Sequence, residues 1–111
     1  MKTPEEDQNT RFKELNSLRT GVSSYNDIIN GIKLVALDAR FYQTKNFSKC
    51  LTIAIGRAFD LVSSDSCTNM QRLGVVSVLN EISRKTLNTK HFHVFMFEVF
   101  KVLKYRAFVE K

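Results

Sequence analysis

The feature that most constrains the fold is the apolar C-terminal segment, residues 91–110, which holds five of the nine phenylalanines of this 111-residue chain. A segment this apolar has to be buried in a globular protein. Drawn as a helix, it has an apolar face of about half its circumference. A narrow polar stripe lies opposite, formed by Glu98, Lys101 and Lys104. The sequence therefore predicts a terminal helix that lies mostly in the core.

Length and composition predict one domain that spans residues 1–111. One proline and four glycines argue against low-complexity stretches, and 43% apolar residues are enough for one core. The first residues lack the apolar stretch of a secretory signal, and no apolar run approaches the roughly 18 residues of a membrane span. We therefore expect a cytoplasmic or nuclear protein with no membrane span.

The N-terminal helix, within residues 1–20, begins with a clear start signal. Thr3 is a capping residue, Pro4 suits the first helical position and Glu6 completes a capping box. The helix should run to about Arg19, where Gly21 follows as a stop. Its large apolar side chains are Phe12, Leu15 and Leu18. We expect its second half to dock on the core and its first turns to be partly mobile.

The next segment permits two structures. Ser24 followed by Asp27 indicates a helix cap, and apolar residues at helical spacing continue to Phe41. The dipeptide Asn30-Gly31 is also a hairpin signal, which makes a two-stranded ribbon the rival. Because no other strand is available to complete a sheet, the sequence favours a helix that is broken or kinked near Gly31.

Two amphipathic helices are predicted in the middle of the chain. The first follows helical spacing through Phe47, Cys50, Leu51, Ala54, Ile55, Ala58, Leu61 and Val62. Residues 63–66 end it and offer a cap for the next helix, which should run from about Thr68 to Lys85. With the terminal helix, the prediction is an all-α, compact bundle of about five helices.

A possible internal repeat relates two of the turns. Thr44-Lys45-Asn46-Phe47 resembles Thr89-Lys90-His91-Phe92, 45 residues further along. Stacked helix pairs repeat at about this spacing, so the pattern predicts two helical-hairpin repeats preceded by the N-terminal helix. The repeat would bring a group of basic side chains to one edge: Lys45, Lys49, Arg84, Lys85, Lys90 and His91.

The net charge of +6 and pI near 9.6 favour an anionic partner. Helix N-termini present unpaired backbone amides to anions, and lysines there add long-range attraction. The basic edge therefore predicts binding to RNA or another acidic partner. The alternative is that these lysines are solvated turn residues that keep the protein soluble.

A second candidate surface lies on the terminal helix. Lys101 and Lys104 are accompanied by Phe97, Tyr105 and Phe108, and aromatic rings beside cations suit stacking on unpaired bases. The alternative is that the three aromatic residues form core or oligomer contacts. In that case the chain is a protein-interaction module, and its terminal helix forms the core of a homodimer.

The sequence contains no signature of catalysis. It has no nucleophile motif, no glycine-rich phosphate loop and no paired carboxylates in register with a histidine. Asp38 and Asp60 are each expected to be either a helix-surface charge or the partner of a neighbouring arginine, Arg40 or Arg57, rather than an acid-base catalyst. The chain is therefore predicted to be non-enzymatic.

No metal site or cofactor is predicted either. His91 and His93 point to different sides of a helix, and only a strand would place them on one face. Cys50 and Cys67 complete no zinc spacing and are expected to be buried free thiols rather than a disulfide.

Residues 73–79, Leu-Gly-Val-Val-Ser-Val-Leu, with Thr89-Lys90 downstream, resemble one helix of the globular core of the pneumovirus transcription antiterminator. That family's core is an all-helical domain that binds RNA and a phosphoprotein. The resemblance implies the same fold class and favours RNA as the partner. The family's zinc-binding segment has no counterpart here and the phenylalanine-rich C-terminus departs from its pattern, so the resemblance assigns no site residues.

Overall fold

The computed structural model describes residues 2–20 and 23–86, and the regular elements within these residues are all helical. Four α-helices follow one another: α1 (Pro4–Ser17), α2 (Tyr25–Ala36), α3 (Phe47–Ser63) and α4 (Asn69–Thr86). A single 3₁₀ turn, Ala39–Phe41, connects α2 to α3. The predicted all-α class is confirmed for this part of the chain. The predicted fifth helix and the second copy of the repeat lie outside it.

The first two helices begin at their predicted caps. The Thr3 hydroxyl accepts a hydrogen bond from the backbone N–H of Glu6 at 3.2 Å and donates one to the Glu6 carboxylate at 3.1 Å. The Ser24 hydroxyl accepts from the N–H of Asp27 at 3.1 Å. The bonds accepted by Thr3 and Ser24 each pair one of the N–H groups that a helix start leaves without an intrahelical partner.

The cap of α4 lies later than the sequence suggested. The Thr68 hydroxyl accepts from the N–H of Gln71 at 3.1 Å, and the Gln71 side chain accepts from the N–H of Thr68 at 2.9 Å. These reciprocal bonds form a complete capping box. The prediction of a cap within residues 63–66 is wrong, because Ser64 ends α3 and its hydroxyl accepts from the N–H of Ser66 in the connecting turn.

Helix α1 is shorter than predicted. It ends at Ser17 rather than about Arg19, because Leu18 takes an extended backbone conformation with φ −75° and ψ 131°. The predicted stop at Gly21 lies outside the described residues.

Helix α2 shows neither the hairpin nor the break expected at Asn30-Gly31. It is one uninterrupted helix, and Gly31 lies against Leu15 of α1. A Cβ at Gly31 would stand 3.0 Å from Leu15 Cδ1, so glycine permits the close approach of the two helices. The glycine at position 31 is thus explained by a contact with another helix, which cannot be recognised from the local sequence.

The chain leaves helical geometry after Ala36, although the apolar pattern continues to Phe41. The Asp38 carboxylate accepts from the N–H of Arg40 at 3.0 Å and caps the separate 3₁₀ turn. Phe41 is fully buried at the end of that turn. The prediction of a longer second helix is therefore wrong at its C-terminal end.

The core lies where α2 packs between α1 and α3, with α4 against α3. The largest fully buried apolar side chains are Leu15, Ile28, Ile32, Val35, Phe41, Leu51, Ile55, Leu79 and Ile82. The buried face of α3 follows the predicted pattern closely.

Helix α1 also docks through its first half, contrary to expectation. Gln8 is 1% exposed, and its Oε1 lies 3.0 Å from the Thr44 hydroxyl, in the turn before α3. The expectation of docking by the second half alone is wrong because it counted apolar side chains and not polar ones. The contact joins α1 to the segment that leads into α3.

Candidate functional site

The start of α3 carries two exposed lysines. Lys45 precedes the helix and Lys49 lies in its first turn, and both are exposed. Asn46, the residue before the helix, makes no capping hydrogen bond with its side chain, in contrast to Thr3 and Ser24 at the earlier helices. The first turn of α3 therefore combines a partial positive charge of the helix with two full charges.

The helical hairpin of α3 and α4 places the end of α4 beside this turn. Arg72, in the first turn of α4, donates to the carbonyl oxygens of Val62 at 3.0 Å and Ser64 at 3.2 Å, so the end of α3 is bound to the start of α4. The two helices pack against each other and are joined by a short turn, so the end of α4 lies toward the start of α3. Burial raises the pKa of the Tyr42 phenol, and the charges of Asp38 and Glu81 raise it further.

Four of the predicted site residues therefore lie at one end of the hairpin. We call them the basic end: Lys45, Lys49, Arg84 and Lys85. All four are exposed. Residues 42–50 and 80–86 contain one acid, Glu81, so the local net charge is +3. The Lys85 ammonium lies 3.5 Å from the Glu81 carboxylate, an exposed pair of the kind that contributes little to stability.

The remaining predicted site residues lie outside the described residues. They are Lys90, His91, Lys101 and Lys104 of the nucleic-acid surface and Phe97, Tyr105 and Phe108 of the interface. His93 also lies outside.

An aromatic pair that the sequence analysis missed adjoins the basic end. The ring centroids of Tyr42 and Phe47 are 5.1 Å apart, with 56° between the ring planes. Both side chains are half-buried, and Lys45 lies between them in sequence. The signal that could have revealed the pair is the grouping of two aromatic residues and a lysine within six residues of a predicted turn.

A second charged cluster joins the 3₁₀ turn to α1. The Asp38 carboxylate lies 2.7 Å from the Arg40 guanidinium and 3.0 Å from that of Arg11, and Asp7 lies within 3.2 Å of both arginines. Both guanidinium groups lie over the Phe41 ring, at 5.2 and 5.4 Å from its centroid. Hydrogen bonds from Arg40 lower the pKa of Asp38 to about 2.

These four charges are paired with one another and balance to zero, so the cluster serves structure rather than ligand binding. The predicted pairing of Asp38 with Arg40 is confirmed. So is that of Asp60 with Arg57, at a longer 3.7 Å.

The two cysteines are buried and unbridged, as predicted. Burial raises the pKa of both thiols; Lys49 opposes the shift at Cys50, and Arg72 opposes it at Cys67. Both are therefore protonated near neutral pH and act as small core side chains. Among residues 2–20 and 23–86, no group of three or more potential ligands is arranged to hold a metal ion.

An open groove of about 590 Å³ runs along α4. Its walls include Leu73 and Val76 toward the start of the helix and Asn80 and Arg84 toward its end. Leu73 is 61% exposed there. The groove brings apolar surface next to the basic end.

Within the described part of the chain, no helix has the length and apolar character needed to cross a membrane. Comparison with known proteins gave no match to a family model, a curated protein or a solved structure. The resemblance of residues 73–79 to the antiterminator core therefore rests on those residues alone.

Proposed function

We propose that this chain is a non-enzymatic helical module that binds RNA through the phosphate backbone at its basic end. The proposal is supported by the exposed Lys45 and Lys49 at the start of α3 and the exposed Arg84 and Lys85 near the end of α4, the helix that packs against α3 in the same hairpin. Lys90, His91, Lys101 and Lys104 are predicted for the same nucleic-acid surface and lie outside the described residues.

Phosphate is the ligand chemistry that best suits such a surface. Lysine is a flexible point charge, which attracts an anion without demanding one geometry, whereas arginine adds a planar fork for two phosphate oxygens. The amides of the first turn of α3 add hydrogen-bond donors of fixed direction. None of these groups reads a base, so this part of the binding should depend little on sequence.

The test is a salt series with two variants of equal net charge. Lys45→Glu/Lys49→Glu changes the basic end, and Lys13→Glu/Arg19→Glu changes two exposed residues of the α1 region; each pair lowers the net charge of +6 by 4. Fluorescence anisotropy with a 20-nucleotide single-stranded RNA gives the affinity of each. We expect the first variant to bind at least 10-fold more weakly at low salt, with a salt slope reduced by about 1.4 for two lost phosphate contacts.

The control variant should keep most of the wild-type affinity. Equal losses in the two variants would mean that net charge alone determines binding, and no binding of wild type at 50 mM salt would remove the proposal. Tighter binding to single-stranded DNA or to phosphatidylserine vesicles than to RNA would contradict the assignment of the partner.

The alternative prediction of a homodimer through Phe97, Tyr105 and Phe108 concerns residues outside the described part of the chain. It stays a prediction, and light scattering on wild type and Phe97→Asp tests it.

A further inference from the structure

The segment between the 3₁₀ turn and α3 contains an aromatic residue, Tyr42, three positions before Lys45 of the basic end. It consists of one aromatic residue followed by four polar ones: Tyr42, Gln43, Thr44, Lys45 and Asn46. Tyr42 is half-buried, while Lys45 and Asn46 are exposed. The ring is thus partly accessible beside an exposed cation.

Backbone and side-chain hydrogen bonds fix the shape of this turn. The N–H of Tyr42 donates to the carbonyl of Ala39 at 3.2 Å, and that of Thr44 donates to the carbonyl of Phe41 at 3.0 Å. The Thr44 hydroxyl donates to the same Phe41 carbonyl at 2.7 Å. Phe47 then supports the Tyr42 ring at a centroid distance of 5.1 Å. The tyrosine is held in place before any ligand binds, which lowers the entropic cost of binding.

A partly exposed tyrosine close in sequence to two exposed lysines suits one ligand feature in particular, an unpaired base. Stacking of a base on an aromatic side chain raises affinity by about 5- to 100-fold, and every base has a flat face that can stack. In a duplex the bases are already stacked on their neighbours and are not available. A phosphate-binding surface that also offers a ring therefore distinguishes single strands from duplexes.

We propose that Tyr42 stacks on an unpaired base of an RNA strand whose phosphates contact Lys45 and Lys49, so that the basic end selects single-stranded RNA. This inference rests on the proposed RNA binding and adds the class of RNA and the residue that selects it. The aromatic residues predicted earlier for stacking, Phe97, Tyr105 and Phe108, are not needed for it.

The first experiment uses the wild-type chain alone. Anisotropy compares a single-stranded 20-nucleotide RNA, a duplex of the same sequence and a strand of equal length whose sugars lack bases. We expect the single strand to bind about 5- to 100-fold more tightly than the strand without bases, and more tightly than the duplex. Equal affinity for the three ligands would overturn the inference and leave the phosphate-binding proposal intact.

The second experiment assigns the effect to the ring. Tyr42→Leu should lower affinity for the single strand about 5- to 100-fold without changing the salt slope, whereas Tyr42→Phe keeps the ring and should bind like wild type. Circular dichroism melting checks that both variants are folded, and the strand without bases should bind both equally. If Tyr42→Leu binds the single strand as tightly as wild type while Lys45→Glu/Lys49→Glu does not bind it, the stacking inference is overturned and the phosphate-binding proposal stands. No RNA binding by wild type would overturn both proposals.

Discussion

The hydroxyl of Tyr25 on α2 lies 2.6 Å from the position that a Cβ would occupy at Gly74 on α4. The same hydroxyl donates a hydrogen bond of 2.8 Å to the carbonyl oxygen of Gln71. The missing side chain at Gly74 therefore permits the side chain of α2 to reach the backbone of α4. This contact joins two helices that are more than thirty residues apart in sequence.

We expect Gly74→Ala to destabilise the protein by about 1–3 kcal/mol, because the new methyl group displaces the Tyr25 hydroxyl and leaves the hydrogen bond unmade. Gly56→Ala in α3 is the control, since nothing lies within 4 Å of its Cβ position. That change should stabilise the protein by up to about 1 kcal/mol through helix propensity. Urea unfolding measures both effects.

The double variant Tyr25→Phe/Gly74→Ala tests the cause. Without the hydroxyl, the alanine at position 74 should cost less than it does alone, so the two changes should not be additive. Equal stabilisation by Gly74→Ala and Gly56→Ala would contradict the contact itself.

Features with a local cause could be predicted from the sequence. The caps at Thr3 and Ser24 depend on residues three positions away, and the buried face of α3 depends on helical spacing. By contrast, the dipeptide Asn30-Gly31 is a local signal for a break in the helix, and no break occurs there. The reason for glycine at position 31 is the close approach of Leu15 on another helix, which the local sequence does not show.

The same limit applies to the site. The repeat predicts an edge where six basic residues meet; Lys45, Lys49, Arg84 and Lys85 lie in the described part of the chain, and the edge itself stays a prediction. The Tyr42–Phe47 ring pair was missed although its members are five residues apart, because residues 42–46 belong to no regular periodic pattern from which a ring contact follows. Polar burial was missed because its cause is distant in sequence: Gln8 contacts Thr44, 36 positions away.

The two leucines of α4 should differ sharply in their contribution to stability. Leu79 is fully buried and Leu73 is 61% exposed in the groove. Leu79→Ala should cost about 2–5 kcal/mol, the usual range for truncating a buried leucine. Leu73→Ala should cost less than about 1 kcal/mol. Urea unfolding distinguishes them, and a cost above 2 kcal/mol for Leu73→Ala would show that another segment covers this groove.

Arg72 is expected to be the polar residue most important for the α3–α4 hairpin. It is 1% exposed and donates to the carbonyl oxygens of Val62 and Ser64 and to the Asn69 side chain at 2.9 Å. Arg72→Leu leaves the buried carbonyl of Val62 and the half-buried carbonyl of Ser64 without their donor, so we expect a loss of about 2–4 kcal/mol in unfolding free energy. Arg72→Lys should be intermediate, since an ammonium does not reproduce the planar fork.

Arg84→Leu is the matched control for this change, because Arg84 lies on the same helix and is exposed. Its effect on stability should stay within about 0.5 kcal/mol. A similar loss in the two leucine variants would argue that helix propensity or charge, rather than the carbonyl contacts, determines the cost at position 72.

Asp38 should make stability depend on pH in the acid range. Its pKa in the folded protein is about 2, below the ordinary value of 3.8, because of hydrogen bonds from Arg40 with added attraction from Arg11. A carboxyl group whose pKa is lower in the folded protein than in the unfolded chain stabilises the fold at pH values above its unfolded pKa. That contribution is lost as the pH falls from about 4 to 2. We expect an effect on the order of 1 kcal/mol, since water screens this surface cluster.

Asp38→Asn measures the contribution directly. The variant should be less stable than wild type at pH 7, and the difference should shrink as pH falls from 4 to 2, because protonation removes the same charge from wild type. Arg40→Gln should flatten the wild-type curve in the same range by removing the main cause of the shift. NMR titration of the Asp38 carboxyl carbon provides the pKa itself. A midpoint near 3.8, or parallel pH curves for wild type and Asp38→Asn, would show that Arg40 does not hydrogen-bond the Asp38 carboxylate as the geometry indicates.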